Sequence, residues 1–172
     1  LEKASNSSGA TVKVLVEKGI LVEYFIRTDR VIYEGEEGSP GDVKLNEFQK
    51  QALKDVEHSF ESGKVALLHG VTSSGKTEVY VKMLEACIRS GKQGLYLLPE
   101  IALTTQLIGR LQNYFGEKVS VYHSKYNIQE RVEVWNNVLV QKPKAQIVIG
   151  ARSALFLPFS NLGLIIVDEE HE

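Results

Sequence analysis

The stretch VALLHGVTSSGKTEVYVKMLEACIRSG, residues 65–91, decides the fold. Residues 65–69 form a short apolar run with the length and composition of a buried strand. Residues 70–77 are Gly- and Ser-rich and predict a turn. EVYVKMLEACIRS, 78–90, carries helical spacing, and Gly91 stands behind it as a stop. Working outward, LYLL at 95–98 reads as a strand ended by Pro99, and a helix runs over about 104–115 to Gly116. KVSVYH at 118–123 reads as a strand, IQERVEVWNNVLV at 128–140 as a helix, and AQIVIG at 145–150 and LGLIIVD at 162–168 as strands. Upstream, Asn46 with Gln49 three residues on forms a capping-box pattern opening a helix to about Ser62, with Gly63 at its end. Short, near-continuously apolar strands alternating with helices predict an α/β fold: a three-layer parallel sheet with helices on both faces.

Gly70-Val71-Thr72-Ser73-Ser74-Gly75-Lys76-Thr77 matches G-x-x-x-x-G-K-[ST], between a predicted strand and a predicted helix. The glycines let consecutive backbone N–H groups point inward, and the following helix turns its positive end to the same place. Lys76 has the reach to meet β- and γ-phosphates, and the Thr77 hydroxyl is a ligand for Mg²⁺. At the other end of the chain, LIIVDEEH puts Asp168 at the carboxyl end of a buried strand, the edge at which a parallel sheet opens its crevice. Asp168 is thus expected beside Thr77, holding Mg²⁺ through water. Glu169 is the expected group to orient or deprotonate the attacking water, with Glu170 the alternative that spacing leaves open. His171 lies close enough to relay the state of the γ-phosphate. These residues predict a P-loop nucleoside triphosphatase and leave open what its hydrolysis drives.

Composition bounds the rest. The chain has 172 residues, 43% hydrophobic and 24% charged, which excludes wholesale disorder. Its single cysteine, Cys87, excludes a disulfide scaffold and a multi-cysteine zinc site within this chain and reads as a small buried apolar group. No apolar run is long enough to span a membrane, and LEKASNSS lacks a secretory pattern, so the expectation is a soluble cytoplasmic chain. With no initiator Met, it is expected to be a piece of a longer protein. Residues 1–44 are net −2, and residues 45–167 are net +4 before the acidic close DEEHE. A mildly basic body around an acidic cluster suits a site that holds Mg²⁺ and meets polyanions. Within residues 9–18 the spacing predicts a short helix stopped by Gly19; a β-rich run follows, and EGEEGSPGD at 34–42 is a linker. Forty residues bury little core alone, so this reads as the tail of a preceding domain.

GVTSSGKTEVY at 70–80, LLPEIALTTQ at 97–106, VYHS at 121–124, IVIGARSALFLPF at 147–159 and LGLIIVDEEHE at 162–172 together resemble superfamily 2 helicases and, among them, the bacterial replication-restart helicases. The resemblance covers residues 45–172 as the first RecA-like motor lobe, ending on the DEEH motif. Ser73 stands where related loops often carry Gly. The resemblance implies an ATP-dependent DNA helicase of three-prime to five-prime polarity that acts in replication restart and primosome assembly in the bacterial cytoplasm. It implies single-stranded and forked DNA, single-stranded-DNA-binding protein and primosome loading proteins as partners, and zinc in the full-length family. It further implies that residues 1–33 end a winged-helix domain as a helix plus β-wing, with 34–44 as the linker. A second lobe supplies the arginine that such ATPases need, so the isolated chain is expected to bind Mg-ATP weakly and to lack turnover. Two other readings remain: a different superfamily 2 translocase acting on RNA or in restriction, or a nucleotide-gated DNA-binding scaffold.

Several residues carry two readings. Thr104 and Thr105, at a predicted helix start, suit a DNA phosphate or a simple N-cap. Arg152 and Ser153, after strand 145–149, suit phosphate contact or a loop ion pair. Gln49 matches the adenine-reading glutamine of many helicases, or serves only the capping box. Phe48 is expected in the core rather than stacked on a base. Trp135 falls on the stripe Ile128, Val132, Trp135, Leu139 and is likewise expected in the core. His123 is a crevice or structural residue; His58 and His69 read as structural or surface.

Overall fold

The computed structural model describes residues 9–20, 43–70, 74–99, 105–123 and 126–168. In chain order these hold α1 (Gly9–Glu17), α2 (Glu47–Glu61), α3 (Lys76–Arg89), β1 (Gln93–Leu97), α4 (Thr105–Phe115), β2 (Val119–Tyr122), α5 (Ile128–Leu139), β3 (Ile147–Gly150) and β4 (Leu162–Val167). Short 3-10 turns lie at Gly116–Lys118, Pro143–Ala145 and Arg152–Phe156. The predicted helix near the N-terminus is present as α1, closed by Gly19. The expected β-wing and the linker at 34–42 lie outside the described residues. At the start of α2, the Gln49 N–H donates to Asn46 Oδ1 and the Asn46 N–H to Gln49 Oε1, both at 2.9 Å, so the capping box is formed.

The four strands pair in parallel, in the order β2-β3-β1-β4. Every residue of β1 is buried, as a central strand covered on both sides requires. Tyr96 points to one face, where it meets Tyr80 and Leu84 of α3, Leu111 and Phe115 of α4, and Ile147, Ile149, Leu164 and Ile166 of the neighbouring strands. Leu95 and Leu97 point to the other, where they meet Val134 and Val138 of α5 with Val148, Ala154 and Leu157. This is a RecA-like α/β lobe with helices on both faces, as the alternation of strands and helices predicts.

Four expectations are corrected. The strand before Asp168 is not buried throughout: β4 alternates, with Leu162, Ile165 and Val167 exposed, as suits the outermost strand of the described sheet. Residues 65–69 are not a strand: the backbone over 64–70 is irregular, and Val65 and Leu67 are exposed. A strand exists only where another strand takes its N–H and C=O groups, and among the described residues none pairs with this segment. Trp135 is not core: Ile128, Val132, Trp135 and Leu139 are all exposed, and the buried residues of α5 are Val134, Asn137 and Val138. Apolar residues lie all round this helix, so its periodicity offers two stripes. The narrow valines are the ones that pack under the sheet, against Ala145 and Val148. Phe48 is also exposed, on the outer side of the first turn of α2. A second capping box, Asn127 with Glu130 at the start of α5, was not anticipated. Cys87 is buried as expected, and desolvation pushes its thiol pKa up, so it stays a neutral packing group.

Leu84 is fully buried, and a Cβ on Gly94 of β1 would lie 2.7 Å from its Cδ2, so helix and strand touch there without slack. Leu84→Ala is expected to cost about 2–5 kcal/mol of stability, because α3 and β1 have no room to close the cavity. Trp135→Ala is expected to cost well under about 2 kcal/mol, since its ring stays partly in water in the folded state. Urea denaturation of the two variants measures both, and equal losses would contradict this packing.

Candidate functional site

The direction of α3 settles where its first turn lies. Cys87 Sγ donates to the Gln93 carbonyl at 3.4 Å, Leu84 packs over Gly94, and the Tyr80 ring meets Tyr96 edge-on with centroids 5.8 Å apart. Descending numbers on α3 thus meet ascending numbers on β1: the helix runs antiparallel to the strand. Its N-terminus, Lys76 and Thr77, stands at the edge where the parallel strands end. Asp168 follows β4 at that same edge, its N–H donating to the Leu97 carbonyl at 2.9 Å. Tyr96 joins the two, since its hydroxyl donates to Asp168 Oδ2 at 2.7 Å while its ring rests against Tyr80. Tyr96 is fully buried.

The described part of the glycine-rich loop is held from two directions. Gly75 has φ +85°, a left-handed conformation that glycine adopts without a Cβ penalty. Its carbonyl accepts a hydrogen bond from Gln49 Nε2 at 3.1 Å, so the residue that caps α2 also braces the loop. A Cβ at Gly75 would run into that same amide. Lys76 Nζ donates to the Gly70 carbonyl at 2.6 Å, which turns the ammonium back across the loop instead of out to water. Ser74 is exposed, and Thr77 is half-buried in the first turn of α3. Val71, Thr72 and Ser73 lie outside the described residues.

Of the other expected positions, Thr105 opens α4. Arg152 and Ser153 are exposed at the start of the 3-10 turn that follows β3, at the same sheet edge as Asp168. That turn depends on Gly150, where a Cβ would lie 2.7 Å from Ala154 Cβ and 2.9 Å from the Tyr122 carbonyl. Thr104, Glu169, Glu170 and His171 lie outside the described residues. His123 follows β2 at this edge and packs beside Tyr126, with ring centroids 6.4 Å apart. His58 is exposed near Glu61 and His69 is exposed, so both are surface residues.

Sequence reasoning missed two features. One is Tyr96, hidden because a tyrosine inside an apolar strand looks like any other core residue. The other is the ion pair of Glu78, in the first turn of α3, with Arg110 of α4. An acid in a helix's first turn is legible as a complement to the helix dipole. Its partner, 32 residues away, carries no sequence signal. Among the described residues there is no cluster of three or more His, Cys, Asp or Glu arranged to hold a metal ion, and no helix long and apolar enough to cross a membrane.

The sequence model of the family described as DEAD/DEAH box helicase matches residues 46–172. The chain is 39% identical over 173 residues to the replication restart protein PriA of Bacillus subtilis, covering 99% of this chain and 21% of that protein. It is 42% identical over 178 residues to the PriA of Haemophilus influenzae, covering 100% and 24%. With the PriA of Synechocystis it shares 41% over 172 residues, 100% and 20%. The chain thus spans about a fifth to a quarter of the length of these relatives. A family match over most of the chain, on a parallel sheet with helices on both faces, establishes that the chain belongs to the DEAD/DEAH box helicase family.

Proposed function

We propose that this chain is the ATP-binding motor lobe of a three-prime to five-prime DNA helicase that works in replication restart. The observation that supports the reading is that α3 begins, with Lys76 and Thr77, at the sheet edge where Asp168 follows β4, with Tyr80 and Tyr96 packed edge-on between α3 and Asp168. The likeness to the PriA proteins supports the cellular role. In this reading residues 45–172 are the lobe, 34–44 a linker and 1–33 the end of a winged-helix domain, for which α1 supplies the helix. The substrates are single-stranded and forked DNA, with single-stranded-DNA-binding protein and primosome loading proteins as partners in the bacterial cytoplasm.

The donor set fits Mg-ATP. Thr77 and Asp168 offer a hydroxyl and a carboxylate, hard oxygens of the kind Mg²⁺ accepts one or two at a time while keeping water and phosphate. Gly70, Val71, Thr72, Ser73, Ser74 and Gly75 are the residues whose N–H groups would hold the phosphates, and a side chain at Gly75 would fill the space the Gln49 amide occupies. When bound, Mg²⁺ supplies charge neutralisation across the β- and γ-phosphates. Lys76 reaches the same phosphates, and the start of α3 directs its N–H groups at them. Glu169 or Glu170 orients the attacking water. Gln49, with Phe48 exposed beside it, faces the base. Thr104, Thr105, Arg152 and Ser153 bind DNA phosphates, a sequence-independent contact suited to a translocating motor. The single cysteine is buried, so this chain offers no zinc site of the family's multi-cysteine type.

Replacing Lys76 by Ala in the full-length protein is expected to lower DNA-stimulated ATPase by roughly 10²-fold or more and to abolish unwinding, with single-stranded DNA still bound. Retained unwinding would defeat the motor reading, and stronger stimulation by RNA than by single-stranded or forked DNA would defeat the substrate. Gln49→Glu separates the two duties of Gln49. It keeps the acceptor for the Asn46 N–H but loses the donor to Gly75 and adds negative charge beside the phosphates. Its melting temperature is expected to stay close to wild type, while affinity for a fluorescent ATP analogue falls roughly tenfold. Unchanged affinity would confine Gln49 to the helix cap.

A further inference from the structure

We infer that Glu78 and Arg110 form the strut through which the nucleotide loop and the DNA-contacting helix sense each other. The inference rests on the proposed function and names positioning residues for it. Glu78 is the third residue of α3, one position after Thr77. Its Oε1 accepts a hydrogen bond from Arg110 Nη2, and its Oε2 is buried with no hydrogen-bond partner among the described residues. That orphaned oxygen lies against the phosphate loop, 3.2 Å from where a Cβ on Gly75 would sit. Arg110 belongs to α4, which begins at Thr105 and runs from the site edge back across the sheet to β2. Helices α3 and α4 lie on one sheet face and share a core through Leu84, Leu111 and Phe115.

The electrostatics make this pair conditional. A carboxylate in the first turn is favoured by the helix dipole, yet the same turn must receive a triphosphate, and like charges at close range repel. A cation on Glu78 itself relieves that conflict at its source, and Arg110 is the one bonded to it, so bound triphosphate tightens the need for Arg110 to stay and thereby fixes α4. A DNA phosphate held at the start of α4 fixes Arg110 from its own side and favours the loop geometry that accepts nucleotide. Linkage makes the two effects reciprocal: whatever ATP does to DNA affinity, DNA does to ATP affinity by the same factor. The side chains of Glu78 and Arg110 are 24% and 45% exposed, so the contact is wet enough to break and re-form and dry enough to matter. An ordinary surface ion pair would leave no buried oxygen unpartnered against a functional loop.

The test uses the full-length protein and four variants: Glu78→Gln, Arg110→Gln, the two combined, and the charge-swapped Glu78→Arg with Arg110→Glu. Two ratios are read for each. One is ATPase at saturating oligo-dT over ATPase without DNA; the other is oligo-dT affinity with a non-hydrolysable ATP analogue over affinity without it. Both single variants are expected to lower each ratio at least fivefold, towards loss of coupling, within the usual five- to 150-fold range of coupling between sites. The combined variant should be no worse than either single, and the charge swap should recover part of both ratios. Arg110→Lys, which keeps the charge, retains most of the coupling and serves if the swap does not fold. Unchanged ratios with a lowered melting temperature would reduce the pair to a structural brace and overturn the inference, and so would single-variant losses that simply add. Absence of DNA stimulation in the wild-type protein would instead overturn the function on which the inference rests.

Discussion

The contact between Leu84 of α3 and the bare Cα of Gly94 on β1 fixes where everything chemical in this lobe must fall. It holds the helix antiparallel to the central strand so closely that any side chain at 94 would displace the Leu84 tip. Once that direction is set, Lys76 and Thr77 are carried to the edge where the strands end, and parallel pairing delivers Asp168 to the same edge. The two halves of the site are nearly a hundred residues apart in sequence, yet no loop has to search for the other. The register of β1 against β4, Leu97 opposite Val167, makes Asp168 the next residue past the sheet.

Legibility followed the range of the forces involved. The capping boxes at Asn46 and Asn127 are local, three-residue devices, and the one looked for was found where expected. The helix after the glycine-rich stretch and a strand ending just before Asp168 are equally legible, although that strand alternates exposed and buried residues instead of being buried throughout. What failed depended on partners. The run at 65–69 has the composition of a strand, but its Val65 and Leu67 stand exposed, and composition does not provide a neighbouring strand. In α5 the periodicity was right and the phase was wrong: Val134 and Val138 face the sheet, and Trp135 does not. Phe48 was assigned to the core for being aromatic, although its place in the first turn of α2 turns it to solvent.

The site shows the same division. Gln49 presented two readings in the sequence, helix cap or nucleotide-side residue. The structure forms the cap through Oε1 and gives Nε2 to the Gly75 carbonyl, a loop brace that neither reading contained. Tyr96 and Arg110 were invisible for a different reason. Each matters through a partner brought close only by folding, Asp168 for the hydroxyl and Glu78 for the guanidinium.

These long-range polar contacts also distinguish this lobe from a generic phosphate-binding fold. A loop, a lysine and a helix N-terminus bind phosphate by local geometry alone. Moving along a strand demands more: the state of the phosphates must alter something that touches nucleic acid. Two lines of contact leave α3, one through Tyr80 and Tyr96 to Asp168, the other through Glu78 to Arg110 on α4. The first remains inside the proposed nucleotide site. The second crosses to a helix whose opening residue stands at the same sheet edge. The proposed motor needs the second kind of connection, and an ion pair with one oxygen unpartnered among the described residues is better suited to it than a packed hydrophobic contact. Charge responds to an arriving phosphate at a distance, whereas packing responds only to what it touches.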